Sequence, residues 1–174
     1  MRSRGELPLE ALDHADARSA SRALVQIEPR SYRSFNMVIA DRHAAFWLRL
    51  KGEDEPDDEG ASRGARSPAR AVEAFPIPEG LSMITAHDLN DEGSERIRFH
   101  LPRFRAARIP DPGAGDWADW QALLGSRERG EGSGPRSAMT LDPDQGYGTV
   151  ASALVARSAR PDRGASSNAR GDSP

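Results

Sequence analysis

Residues Ser34–Gly52 read SFNMVIADRHAAFWLRLKG. Phe35 to Ala40 is nearly continuous apolar, the pattern of a strand buried on both faces. From Ala44 to Leu50 the pattern has a period of two. Phe46, Leu48 and Leu50 share one face, and Ala45, Trp47 and Arg49 share the other. Asp41-Arg42 between the two runs predicts a tight turn, although it lacks the Gly that favours the primed hairpin types. The stretch therefore predicts a hairpin, and with it an antiparallel sheet that the rest of the chain must cover.

Outward from the hairpin, residues 7–26 predict one bent helix or two short ones. Leu9, Leu12 and Ala15 form a first apolar stripe, with Pro8 tolerated near the helix start. Asp16 can cap a second run in which Ala17, Ala20 and Leu24 align. Pro29 ends the segment. After the hairpin, residues 52–71 switch to charge, Gly, Ser and Pro, a composition that predicts a disordered loop. Val72–Pro78 and Leu81–Thr85 predict two more strands joined at Glu79-Gly80. A helix is expected from about Ser94, with Ile97, Leu101 and Phe104 at i, i+4 and i+7, and Pro102 should end or kink it. Asp116 is placed to cap a further helix in which Trp117, Trp120 and Leu124 share a face, with Gly125 as its C-terminal glycine. Ser137–Leu141 and Gly148–Ala156 predict a final strand pair, and 158–174 a disordered tail. This order predicts an α+β fold with mainly antiparallel sheets.

Composition narrows the chemistry. The chain has 174 residues and no cysteine, which excludes disulfides, thiolate metal sites and a cysteine nucleophile within it. Net charge is −3, so no global basic field recruits nucleic acid, and no partner of that kind is expected. Mean hydropathy is −0.68 and no apolar run approaches the ~20 residues of a membrane span. With no apolar signal segment near Met1, a cytoplasmic location is expected.

Two groups of side chains are candidates for a site. His87, Asp88, Asn90, Asp91 and Glu92 cluster directly after a predicted strand, a common place for binding or acid–base groups. Metal spacings such as HxH or HExxH are missing, so neither a metal nor another cofactor is expected. The plainer reading makes Asn90 or Asp91 a helix cap and Asp88 a turn brace. Arg96, Arg98, Arg103, Arg105 and Arg108, with His100 among them, are spaced to line an anion site or a solvated helix face.

Five blocks carry a resemblance: RSRGELPLEAL (Arg2–Leu12), YRSFNMVIAD (Tyr32–Asp41), IPEGLSMITAHDLND (Ile77–Asp91), RIRFHLPRF (Arg96–Phe104) and GYGTVASALVA (Gly146–Ala156). In order and spacing they resemble the C-terminal two thirds of bacterial members of the NRDE family, relatives of the transport and Golgi organisation protein 2. On that resemblance residues 1–157 form the domain part. The implied fold is like the N-terminal-nucleophile hydrolases, an αββα sandwich of two stacked antiparallel sheets, here in part only. The family's near-terminal Cys and its Asn-Arg-Asp-Glu motif have no counterpart in this chain. The resemblance thus implies an N-terminally truncated member with no catalytic residue as written. It further implies uncovered sheet edges and apolar faces, such as Phe35/Met37/Ile39, through which the chain self-associates. Two other readings stand beside it. One is a small binding module whose HDLND loop and Arg-rich segment hold an anionic ligand such as haem or an acyl-CoA. The other is an amidohydrolase, either self-sufficient through His87 and Asp91, which no nucleophile accompanies, or of the N-terminal-nucleophile type once the missing N-terminus is restored.

Overall fold

The computed structural model describes residues 2–52, 70–143 and 147–157. The expected loop (all but its first and last residues) and the expected tail at 158–174 lie outside the described residues.

Two short helices come first, α1 (Glu6–Leu12) and α2 (Ala17–Leu24). The helical stretch divides where Asp16, in extended conformation, accepts the Ser19 N–H at 2.7 Å and caps α2. In α2 the small residues Ala17, Ala20 and Ser21 are buried with Leu24, as the spacing predicts. In α1 the stripe is rotated from the expected one. Leu7 is buried and Ala11 packs beside it, whereas Leu9 and Leu12 are 67% and 79% exposed. An i, i+4 pair at 7 and 11 shares a face as well as the pair at 9 and 12 does, and the sheet receives the former.

The sheet has three antiparallel strands in the order β1-β2-β3: β1 (Phe35–Ala40), β2 (Ala45–Leu50) and β3 (Val72–Pro76). Phe35 pairs with Leu50 and Ala40 with Ala45. The reversal occupies residues 41–44. There the Asp41 carboxylate, accepting the N–H groups of His43 and Ala44, takes the place of a turn glycine. Alternation in β2 is as the sequence predicts, but both of its faces are covered, since Trp47 and Arg49 are buried along with Leu48 and Leu50. β1 departs from expectation. It is an edge strand, and Val38 on its second face is 52% exposed. Phe35, Met37 and Ile39 are not an uncovered face. They pack against the core of Leu7, Leu24, Tyr32, Leu48, Leu50 and Val72, beneath the two helices.

A second, smaller cluster forms around α3 (Glu95–Ala106), whose Ile97, His100, Leu101 and Phe104 are buried. Ser94 caps it through Ile97 N–H at 3.5 Å. Of the two expected outcomes for Pro102, an end is not seen, because the helix runs four residues further. The residues on both sides of the proline, Leu101 and Phe104, are anchored by burial, and that outweighs one missing backbone bond. Phe104 meets Trp120 of α4 (Ala118–Leu124) edge to face at 5.4 Å. Gly125 ends α4 at φ −78, so its left-handed freedom is not used.

Three expected strands do not form. Residues 81–85 are irregular, because their backbone pairs with a loop rather than a strand: Asn90 N–H donates to Met83 C=O at 2.9 Å. Residues 137–141 begin in a 3-10 turn (Pro135–Ser137), and the expected pairing with 148–156 shrinks to Thr149 N–H on Leu141 C=O at 3.0 Å. Val150 and Val155 are left exposed. The mixed α+β class holds. The described residues contain one sheet, and a second sheet stacked on it is not among them.

Candidate functional site

The loop between β3 and α3 is held by Asn90. This residue sits at φ 58, a left-handed conformation that Asn tolerates better than most side chains. Its Oδ1 accepts Met83 N–H at 2.8 Å and its Nδ2 donates to Ser82 Oγ at 3.4 Å. Thr85 Oγ1 accepts the His87 N–H and reaches Ser94 Oγ, which fastens the loop to the start of α3.

So fastened, the loop lies over the second face of the sheet. Asn36 of β1 donates through Nδ2 to the carbonyls of Thr85 at 2.9 Å and His87 at 3.2 Å, while its Oδ1 accepts Trp47 Nε1–H at 3.0 Å. Arg49 of β2 is the second tie. Its guanidinium pairs with Glu73 at 2.9 Å and with Asp88, and lies 5.4 Å from the Trp47 ring and 5.1 Å from the Phe75 ring. A buried guanidinium needs such company, because charge taken from water without partners is strongly unfavourable.

Between loop and sheet lies a cleft of about 580 Å³. Arg4, Arg49 and Lys51 bring positive charge to it, and Asp88 and Asp91 bring negative. His87 stands at the mouth, half exposed, with Nδ1 3.6 Å from Asp91 Oδ2. Arg4, from the turn before α1, donates to Ser34 C=O at 2.9 Å.

The structure brings together His87, Asp88 and Asp91 of the residues singled out from sequence. It places the others elsewhere. Asn90 shapes the loop from within. Arg96 donates to the Arg136 carbonyl and Arg98 to the Glu92 carbonyl at 3.2 Å, both away from the cleft. Arg4, Asn36, Arg49 and Lys51 were not legible as site residues, since they lie 35 or more positions from His87 in sequence. The one available signal was Arg49, a charge in the inward alternation of a strand. Helix capping falls to Ser94, while Asp91 instead accepts Gly93 N–H at 2.8 Å.

Chemically the cleft offers cations for an anionic group and a His–carboxylate pair for a proton. The hydroxyls that line it, of Ser34 and Thr85, have no basic side chain bonded to them among the described residues. The described residues contain no group of three or more His, Cys, Asp or Glu able to hold a metal, and no helix long and apolar enough to cross a membrane. No family model, curated protein or solved structure matches the chain.

Proposed function

We propose that the chain corresponds to the C-terminal part of an NRDE-family domain, and that its cleft binds a small anionic ligand, such as haem or an acyl-CoA, without transforming it. The order of the five sequence blocks supports the family. The observation that carries the binding reading is the meeting of Arg4 with Lys51 and the paired Arg49 in one cleft, contributed by two separate places in the chain, the turn before α1 and the end of β2. Hydrolysis would need the nucleophile that the family pattern supplies and these residues do not. Self-association belongs to the same reading, because the outer edge of β1 has no backbone partner among the described residues.

The test is titration of the protein with haem, followed by absorbance, and with an acyl-CoA, followed by calorimetry. Arg4→Ala is expected to weaken binding about ten-fold or more, the scale of one lost charge-assisted hydrogen bond. His87→Ala, at the mouth, is expected to have a smaller effect. Unchanged affinity in Arg4→Ala would place the ligand outside this cleft, and no binding of either ligand would remove the reading.

A further inference from the structure

Both edges of the sheet can be read for their free hydrogen-bonding groups. Asp41 N–H donates to Ala44 C=O at 2.9 Å. By alternation, residues 39 and 46, 37 and 48, and 35 and 50 are the hydrogen-bonded pairs of β1 and β2. Asn36, Val38 and Ala40 therefore aim their backbone N–H and C=O away from β2. On the other side, Ile77 N–H donates to Ala45 C=O at 2.9 Å, which puts Pro76, opposite Phe46, in a position that faces outward. A proline there offers no N–H to a further strand, so the edge of β3 is guarded. The edge of β1 is not. FNMVIA holds neither proline nor charge, and the outward groups of Val38 and Ala40, both exposed, have no backbone partner among the described residues.

We propose that β1 pairs antiparallel with β1 of a second copy, about a two-fold axis at Ile39, to give one six-stranded sheet. Val38 of each copy then forms a hydrogen-bonded pair with Ala40 of the other, using the two exposed positions. Ile39 faces Ile39 in the narrow pair at the axis, an apolar β-branched contact. Asn36, whose side chain is engaged with Thr85 and His87, faces Arg42 beyond the end of the partner strand and stays outside the pairing. The occupant is a second copy because this strand is its own complement: the same two residues supply every donor and acceptor, and no like charges meet. So short a seam buries less than the ~1,200 Å² of stable complexes, so the dimer dissociates in the micromolar range or above. The inference deepens the reading that the β1 edge is open and is independent of the ligand cleft.

Sedimentation of the full chain without ligand, from micromolar to millimolar concentration, tests it. The wild type is expected to show a reversible monomer–dimer equilibrium. Val38→Lys and Val38→Pro are expected to be monomeric with unchanged circular dichroism, since the Val38 N–H takes no part in the β1–β2 ladder. The chain has no cysteine, so Ile39→Cys introduces a single thiol. Facing Cα atoms about 4.5 Å apart lie within disulfide reach, and mild oxidation should cross-link this variant faster than Leu9→Cys on α1. A wild type monomeric throughout, a Val38→Lys variant that dimerises as the wild type does, or faster cross-linking at Leu9→Cys would each overturn the proposal. Loss of ligand binding would leave it standing.

Discussion

Asp41 joins two elements through one carboxylate. Oδ2 accepts Ala17 N–H at the start of α2 at 2.9 Å, and Oδ1 accepts the N–H groups of His43 at 2.6 Å and Ala44 at 2.9 Å. These bonds, led by that from Ala17, hold its pKa at about 2, below the ordinary 3.8. A depressed carboxylate stabilises the fold at pH above the unfolded value and loses that contribution as pH falls through the folded one. Stability is therefore expected to decline between pH 3.8 and about 2. Asp41→Ala should lower the neutral-pH melting midpoint by a few degrees and flatten the acid limb, read by thermal melts across pH. An unchanged acid limb would mean that other carboxylates set it. The sequence placed Asp41 in the turn because a short polar residue between two apolar runs belongs there. Its bond to Ala17, 24 positions earlier, is a property of the packed layers.

At the scale of elements, α3 shows both what periodicity reveals and what it misses. Ile97, Leu101 and Phe104 are buried as their spacing predicts, and Ser94 caps the helix. Ser94→Ala is expected to destabilise by about 1 kcal/mol, measurable by denaturant titration. What periodicity missed is His100, fully buried, with neither ring nitrogen hydrogen-bonded among the described residues. Burial first, then Arg103 and Arg96, push its pKa below 6.5, against the opposing pull of backbone groups of Ser137 and Glu128. The unfolded chain therefore takes up the proton first. The contribution of neutral His100 is intact above pH 6.5 and is lost as pH falls from there toward the lowered folded value. Amide exchange in α3 should accelerate over that window, and His100→Phe should remove the acceleration. A variant that keeps it would assign the effect to another group. Pro102 does not end this helix, because local preference against a helix interior is smaller than the combined burial of its neighbours.

Across the whole molecule, two apolar clusters are joined mainly by polar ties, Arg49 to Asp88 and Asn36 to the Thr85 and His87 carbonyls. Leu24 and Leu48 are completely buried in the larger cluster, and Leu48→Ala is expected to destabilise the sheet and its helices by about 2–5 kcal/mol. Asp88→Ala should leave that cluster intact and open the cleft instead, seen as faster exchange of the 81–91 amides with little change in the sheet. The α+β class, the helical start of the chain, the hairpin, β3 and the face of α3 were determined by the sequence itself, since each follows from spacing within one turn or one strand, whereas one bent helix or two short ones was left to the packing. Tertiary structure alone decided the rest. A strand exists only where another strand takes its backbone bonds, so the apolar runs at 81–85 and 148–156 stayed irregular although they resemble β1. A cleft exists only where distant segments meet. The sequence could supply His87, Asp88 and Asp91, while the packing of loop on sheet brought Arg4, Arg49 and Lys51 to them.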